Sequence, residues 1–357
     1  MREAVVGLIG CGFIGRFHSR NLNAIARSEL LPVSYLAVAD RVVERAESFA
    51  ALTQSPVVTG DAHEVLANPS VNTVYICTET FEHPALVVAA AQRRLNIFCE
   101  KPLARTLDEV EQMVDAVERA GVVHQVGLIL RTSPVYTVLK DLMGDSELGP
   151  FLTAHLRDDQ FFPVRGHYAS AWRGDAAKAG GGTLIEHSIH DIDLFRWLFG
   201  DIHTVRCHVR YTSGHAGVED VALVTFQHAG GHQTSLSSIW HAVDERPSTR
   251  RLEVFFEGGW FATDSDFIGP IRYQHRAGPE QELSPDDVLE RYRAIAGLDD
   301  SLFDLARRGM YADYRFLEAV AEGKPAFPDF RVALAAHRII DACYRSARDG
   351  REVRLAR

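Results

Sequence analysis

Short, unbroken apolar runs alternate with amphipathic stretches through the first third of the chain. The runs at residues 4–9, 33–39, 73–77, 97–99 and 122–126 predict strands, and the stretches at 14–25, 42–51, 84–92 and 107–120 predict helices. Continuous rather than alternating apolar strands are expected where a parallel sheet is covered on both faces. Their alternation with helices predicts βαβ units and a doubly wound sheet.

The pattern changes after about residue 125. A helix is expected over 136–143. A Gly/Ala-rich stretch at 174–182 then precedes one continuous amphipathic helix over 184–199. Alternating segments follow at 205–211, 221–227, 233–240, 252–256 and 260–263, and Gly230-Gly231 separates two of them as a hairpin turn would. Helices at 311–322 and 331–348 close the chain. Residues 264–300 are polar and weakly periodic, and receive no assignment. The expected fold is therefore α/β. A dinucleotide-binding domain at 1–125 precedes an α+β domain at 126–357 with a large, mostly antiparallel open sheet. The closing helices are free to pack back on the first domain.

Composition narrows the partners. The 357 residues are 46% hydrophobic and 24% charged, ample for two cores. A formal charge of −10 without a basic run argues against nucleic acid and anionic membrane surfaces. Cys11, Cys77, Cys99, Cys207 and Cys343 form no C-x-x-C pair, which reads as reduced thiols in a cytoplasmic protein. No apolar stretch reaches the length of a membrane span, and no signal-type segment opens the chain.

The first strand runs into Gly10-Cys11-Gly12-Phe13-Ile14-Gly15. In a G-x-G-x-x-G turn the first glycine makes the tight turn, the second lets a pyrophosphate approach backbone, and the third lets helix and strand pack closely. The helix start then offers N–H groups and a positive dipole end to phosphate. Asp40 ends the second strand, where a carboxylate accepts ribose hydroxyls and repels a 2′-phosphate, so NAD is the expected cofactor. Arg41 follows at once and leaves NADP open. The bland alternative is a glycine turn in a non-binding α/β domain.

Two further motifs carry candidate chemistry. Glu100-Lys101-Pro102 follows the fifth strand, where ligands of an open parallel sheet bind. The segment Gly180-Gly181-Gly182 leads to Glu186, His187, His190, Asp191 and Asp193. On an unbroken helix Glu186 and His190 share a face. Histidines beside carboxylates also suit zinc, but no H-E-x-x-H or cysteine set completes a site, and no metal is expected. His83 precedes Pro84, so a helix-start role competes with a functional one. His155, His167, His203, His208, His215, His228 and His232 belong to no constellation; His241, on a strand, could reach substrate.

On these residues the chain resembles the Gfo/Idh/MocA oxidoreductases, which include glucose–fructose oxidoreductase and inositol dehydrogenase. The resemblance covers nearly the whole chain. It rests on the glycine loop, on Thr78 to His83, on Glu100-Lys101-Pro102, on Gln125 through Arg131 and Pro134, on Trp172-Arg173, on Glu186-x-x-x-His190, and on the closing helices. It implies a Rossmann domain plus an open-sheet domain, with the active site between them. It also implies a homodimer or homotetramer through the outer face of that sheet.

Carried over by position, Lys101 would hydrogen-bond the reacting oxygen and His190 would take the hydroxyl proton, with Glu186 orienting His190 or binding a neighbouring hydroxyl. Phe13, Ile14, Thr78, His83 and Glu100 would join the glycines, Asp40, Arg41 and Lys101 around the cofactor. Arg131, Trp172, Arg173 and His187 would line the substrate. The resemblance also implies a cis bond before Pro102. Two departures stand out: Glu186 replaces the usual Asp, and Leu128-Ile129-Leu130 is more apolar than its counterparts. The expected activity is hydride exchange between nicotinamide and a sugar, cyclitol or polyol carbon. Relatives that hydrolyse glycosides through transient oxidation, or that sense dinucleotide without catalysis, are the competing functions.

Overall fold

In the computed structural model, residues 1–166 and 168–355 are described. His167, to which the sequence assigns no role, lies outside them, as do residues 356 and 357. The chain forms two compact units: Met1–Leu128 with Met310–Ala335, and Ile129–Gly309 with Ala336–Arg357.

The first unit opens with β1 (Ala4–Ile9), α1 (Phe13–Ser28), β2 (Val33–Ala39), α2 (Val43–Thr53), β3 (Val57–Thr59) and α3 (Ala62–Ala67). It continues with β4 (Thr73–Ile76), α4 (His83–Gln92), β5 (Asn96–Cys99), α5 (Leu107–Ala120) and β6 (His124–Val126). The six strands are ordered β3-β2-β1-β4-β5-β6 and every pairing is parallel. The order reverses at β1, so the switch point where such sheets bind ligands lies beyond the ends of β1 and β4. β3 and α3 were not expected: three residues of strand are too few to show a period. Local chemistry sets the element ends elsewhere. Thr106 and Glu109 form a reciprocal capping box at the start of α5, and Gly121 closes it in the left-handed region at φ +64°.

The second unit contains α6 (Pro134–Leu142), β7 (Phe151–Phe161), α7 (Ala176–Ala179), α8 (Thr183–Glu186) and α9 (Ile189–Phe199). Its later strands are β8 (Ile202–Arg210), β9 (Val221–His228), β10 (Gln233–His241), β11 (Thr249–Phe256), β12 (Gly259–Thr263), β13 (Ile271–His275) and β14 (Gln281–Leu283), before α10 (Pro285–Ala296) and α11 (Asp300–Arg307). The chain ends with α12 (Tyr311–Glu322), α13 (Phe330–Asp349) and β15 (Val353–Arg354).

Nine strands run in the order β14-β13-β12-β11-β7-β10-β9-β8-β15. All neighbours are antiparallel except β7 and β10, which are parallel. The central strand β7 escaped the sequence reading because its second half, Asp158-Asp159-Gln160, is polar yet buried. The unassigned segment 264–300 holds β13, β14, α10 and the start of α11. There, Ser284 and Asp287 form a capping box and Gly297 closes α10.

Candidate functional site

The glycine loop is dictated by backbone proximity. Gly10 sits at φ +100°, and a Cβ there would lie 2.5 Å from the Cys77 carbonyl at the end of β4; a Cβ on Gly15 would lie 2.0 Å from Gly10 O. At Gly12 a Cβ meets nothing within 4 Å. The N-cap of α1 has no side-chain hydrogen bond and the first turn has no acidic residue, which suits a helix start facing an anion. Phe13 is exposed and Ile14 half-buried.

Asp40 is held at the end of β2 by the Cys11 N–H, which donates to Oδ2 at 2.8 Å, and the Val42 N–H, which donates to Oδ1 at 2.9 Å. Arg41 is turned away to two carboxylates, Glu79 at 2.6 Å and Glu82 at 2.9 Å. Thr78 Oγ1 and Glu79 Oε2, just beyond β4, are shut off from solvent without a hydrogen-bond partner among the described residues. An open glycine, an uncapped helix start, a fixed carboxylate and the Thr78 hydroxyl at a switch point form a donor and acceptor set suited to a dinucleotide.

His83 ties two loops at this edge. Its Nδ1 lies 3.0 Å from Pro102 O and its Nε2 3.2 Å from Thr78 O, so it bridges the ends of β4 and β5 rather than only opening α4. The Lys101–Pro102 peptide is cis, as the resemblance implied. Lys101 itself is half-buried.

Beneath Lys101 lies a charge cluster the sequence did not reveal. Glu100 Oε2 accepts the Lys101 N–H at 3.1 Å, and Glu100 Oε1 is 2.9 Å from His18 Nε2. His18 Nδ1 is 2.8 Å from Asp313 Oδ1, and Asn21 donates to Asp313 Oδ2 at 2.6 Å. Burial alone would lower the His18 pKa, but Asp313 and Glu100 outweigh it and push it up to about 10. Burial also opposes the charge on Glu100, yet His18 and Lys101 hold its carboxyl below the usual value. A histidine inside α1 and an aspartate 295 residues later carry no motif that would pair them.

In the second unit, the expected continuous helix over 184–199 is two helices. After α8 the Ser188 N–H donates back to Thr183 O at 2.9 Å, a wide i→i−5 turn, and α9 starts afresh at Ile189. Side chains impose this break. His187 Nε2 lies 3.0 Å from Asp158 Oδ1, and Ser188 Oγ donates to Asp158 on β7 at 3.2 Å and lies 2.6 Å from Ser238 Oγ on β10. Glu186 and His190 therefore do not sit on one unbroken helical face. Gly182 has a packing reason: a Cβ there would lie 1.9 Å from Glu219 O, and Glu219 Oε2 and Oε1 accept the Gly182 and Leu184 N–H groups at 2.7 and 2.9 Å.

Most carried-over residues of this unit are already paired. Glu186 is buried and accepts from Arg173 Nε at 2.9 Å, and the Arg173 guanidinium lies 4.4 Å from the Trp172 ring centroid. Arg131 grips Asp193 with two bonds of 2.7 and 2.6 Å. His187 is only 15% exposed at its side chain and belongs to the Asp158 cluster. His190 sits half-buried in the first turn of α9. His241 is on the opposite face of β10 from Ser238, whose hydroxyl meets Thr183 and Ser188.

Arg250 on β11, unnoticed in the sequence, organises the cluster. It donates to Asp191 at 2.5 Å, Asp158 at 3.0 Å and Asp266 at 2.7 Å. Burial is the main cause pushing Asp191 well above the usual carboxylate range, with Arg250 acting against it and Asp158 adding to it. Asp191 and Asp158 thus share Arg250 in a network that fixes both ends of the α8–α9 link. Among the described residues no group of three or more His, Cys, Asp or Glu is arranged to hold a metal ion.

Comparisons with known proteins agree with this geometry. Residues 4–128 match the family profile described as the GFO/IDH/MocA oxidoreductase family, NAD-binding Rossmann fold, and residues 136–262 match the GFO/IDH/MocA C-terminal domain. The chain is 31% identical to a scyllo-inositol 2-dehydrogenase (NAD(+)) of Bacillus subtilis over 77% of this chain and 75% of that protein. It is 28% identical to an inositol 2-dehydrogenase of Rhizobium meliloti over 98% of each. A levoglucosan dehydrogenase solved with NADH and levoglucosan superposes with a TM-score of 0.86 at 22% identity, covering 100% of both chains.

Proposed function

Because the chain belongs to the Gfo/Idh/MocA oxidoreductase family, we propose that it moves hydride between NAD and a hydroxyl-bearing carbon of a cyclitol, a sugar or an anhydrosugar. The observation that carries this reading is Lys101 at the carboxyl end of β5, beside a Glu100 that is kept ionised, in a unit whose dinucleotide loop is intact. The nicotinamide supplies the hydride acceptor when bound. Gly10, Gly12 and the start of α1 hold the pyrophosphate, and Asp40 accepts the adenosine ribose hydroxyls.

Lys101 donates a hydrogen bond to the reacting oxygen and stabilises negative charge as it develops there. His190 takes the hydroxyl proton, a role suited to imidazole near neutral pH. Glu186 has a further partner in Arg173. Its carboxylate accepts from Arg173 Nε, so besides orienting His190 or binding a neighbouring hydroxyl it holds Arg173 and Trp172 as a pair that lines the substrate. Arg131 acts through Asp193 to fix α9, and His187 through Asp158 to fix the α8–α9 link.

The substrate class rests on relatives whose names state inositol and levoglucosan as substrates. Five free, buried cysteines suit a reducing cytoplasm. Leu152 and Leu223, exposed on the nine-stranded sheet, suit assembly of copies through that face. A screen of inositols, aldoses and anhydrosugars with NAD decides the activity. NADH formation that is lost in Lys101→Ala supports it. Silence with every polyol and with the matching ketones would remove it, and cleavage of a glycoside without net NADH change would replace it by the hydrolase.

A further inference from the structure

Asp40 and Arg41 give opposite instructions about the cofactor, and the structure shows why both can stand side by side. Asp40 is oriented by two backbone N–H groups at the end of β2. Arg41 reaches across to the loop after β4, where Glu79 takes one guanidinium nitrogen at 2.6 Å and Glu82 another at 2.9 Å. Glu79 is the leading cause that raises the Arg41 pKa, with Glu82 and Asp40 adding to it. Neither Glu79 nor Glu82 has a part in the proposed chemistry, and neither belongs to the Asp40-type acid position by which such folds select NAD.

The local charge explains what they do. Asp40, Glu79 and Glu82 face Arg41 and Arg45, the latter 3.4 Å from Asp40. Three acids against two bases leave one net negative charge at the adenosine end of the loop. A 2′-phosphate brings roughly −1.5 to −2 charge at neutral pH and needs a free cation. With two carboxylates on it, Arg41 is held toward the loop after β4 and its charge is more than offset there. An adenosine ribose with a free 2′-hydroxyl brings no charge and meets only Asp40.

We propose that Glu79 and Glu82 are specificity-determining residues for NAD over NADP, acting by sequestering Arg41. Removing their charge, with Asp40 left intact, turns the net −1 into +1 and frees the guanidinium for a phosphate. The pair is a latent change of cofactor set by two side chains outside the glycine loop and outside the β2 end.

The test needs no substrate. NADH and NADPH are titrated by fluorescence into the whole protein, its Glu79→Gln/Glu82→Gln variant, and that variant carrying Arg41→Ala as well. The expected result is a tightening of NADPH binding by about tenfold or more in the double variant, with NADH within about threefold of the parent. Adding Arg41→Ala returns NADPH binding to the parent level. The NADPH gain also shrinks at high salt, because the site is half exposed. Unchanged NADPH binding in a double variant that melts like the parent and still binds NADH overturns the proposal. So does a gain that persists without Arg41, since the acids would then act by plain repulsion.

Discussion

His18 Nε2 lies 2.9 Å from Glu100 Oε1, and Glu100 precedes the lysine assigned to the chemistry. With Asp313 on its other nitrogen, His18 is an imidazolium between two buried carboxylates. His18→Leu removes the cation between the two acids and should cost about 3–5 kcal/mol. The sign of the pH dependence follows from a folded pKa of about 10, above the unfolded value near 6.5. The His18 contribution is complete below the unfolded value and is lost as pH rises through the folded one. Thermal melts of the two proteins should therefore differ most at pH 6 and converge toward pH 10. A gap that does not change over this range would mean that His18 is neutral.

Gly12 and Gly15 should respond in opposite ways to the same added methyl group. Gly15→Ala drives a Cβ to within 2.0 Å of Gly10 O and should lower the melting temperature sharply. Gly12→Ala meets open space and should fold like the parent while weakening NADH binding at least tenfold, because the methyl group stands where pyrophosphate approaches. A melt and an NADH titration of each variant check this; normal NADH affinity in Gly12→Ala would move the pyrophosphate elsewhere.

Lys101→Met should keep NADH binding and reduce kcat by about 10²–10³-fold, the cost of losing one donor to a developing oxyanion. His190→Asn should lose about 10²–10⁴-fold and abolish the acidic limb of the kcat/KM profile, since the base that titrates is gone. Steady-state rates against pH for each variant, on whichever polyol the screen finds, are the measurement. A retained acidic limb in His190→Asn would assign the base to another group.

The Arg250 cluster makes a prediction about charge rather than contact. Arg250→Met strands Asp158 and Asp191 and should destabilise by about 3–5 kcal/mol. Neutralising the acids too, as Arg250→Met with Asp158→Asn and Asp191→Asn, should recover much of that loss, because no buried charge is left unpaired. Urea midpoints at constant slope would read this out. A triple variant no more stable than the single one would show that the geometry, rather than the charge, is what counts.

The residues that make local patterns were legible before the structure. β1, β2 and α5 follow from apolar period and capping chemistry, and Gly10, Asp40 and Lys101 fall where a doubly wound sheet presents its ligand edge. What stayed hidden were groups whose meaning depends on partners far along the chain. Asp158 and Asp159 kept β7 from showing as a strand, because an acid suggests exposure until Arg250 and Arg246 are seen beside it. The break at His187–Ser188 was hidden for the same reason: the periodicity of 184–199 is helical, and side-chain bonds to β7 and β10 override it. His18 and Asp313 had no signal at all, since nothing in either neighbourhood names the other.

The first unit is assembled from two separate stretches of chain, and this gives it an unusual order of completion during synthesis. Residues 310–335 supply Asp313 to His18, Phe316 against the Tyr75 and Phe98 rings, and the Pro328 carbonyl that accepts the Val126 N–H of β6. A ribosome that has made residues 1–128 must still translate the whole of 129–309 first, about 10–40 s at common elongation rates. For that interval the nascent sheet lacks the second carboxylate of His18 and the cover over the Tyr75 and Phe98 rings. A gene fragment ending at residue 128 would stay in that state permanently, so the dinucleotide unit is not a module that can be cut from the front of this protein and carried elsewhere.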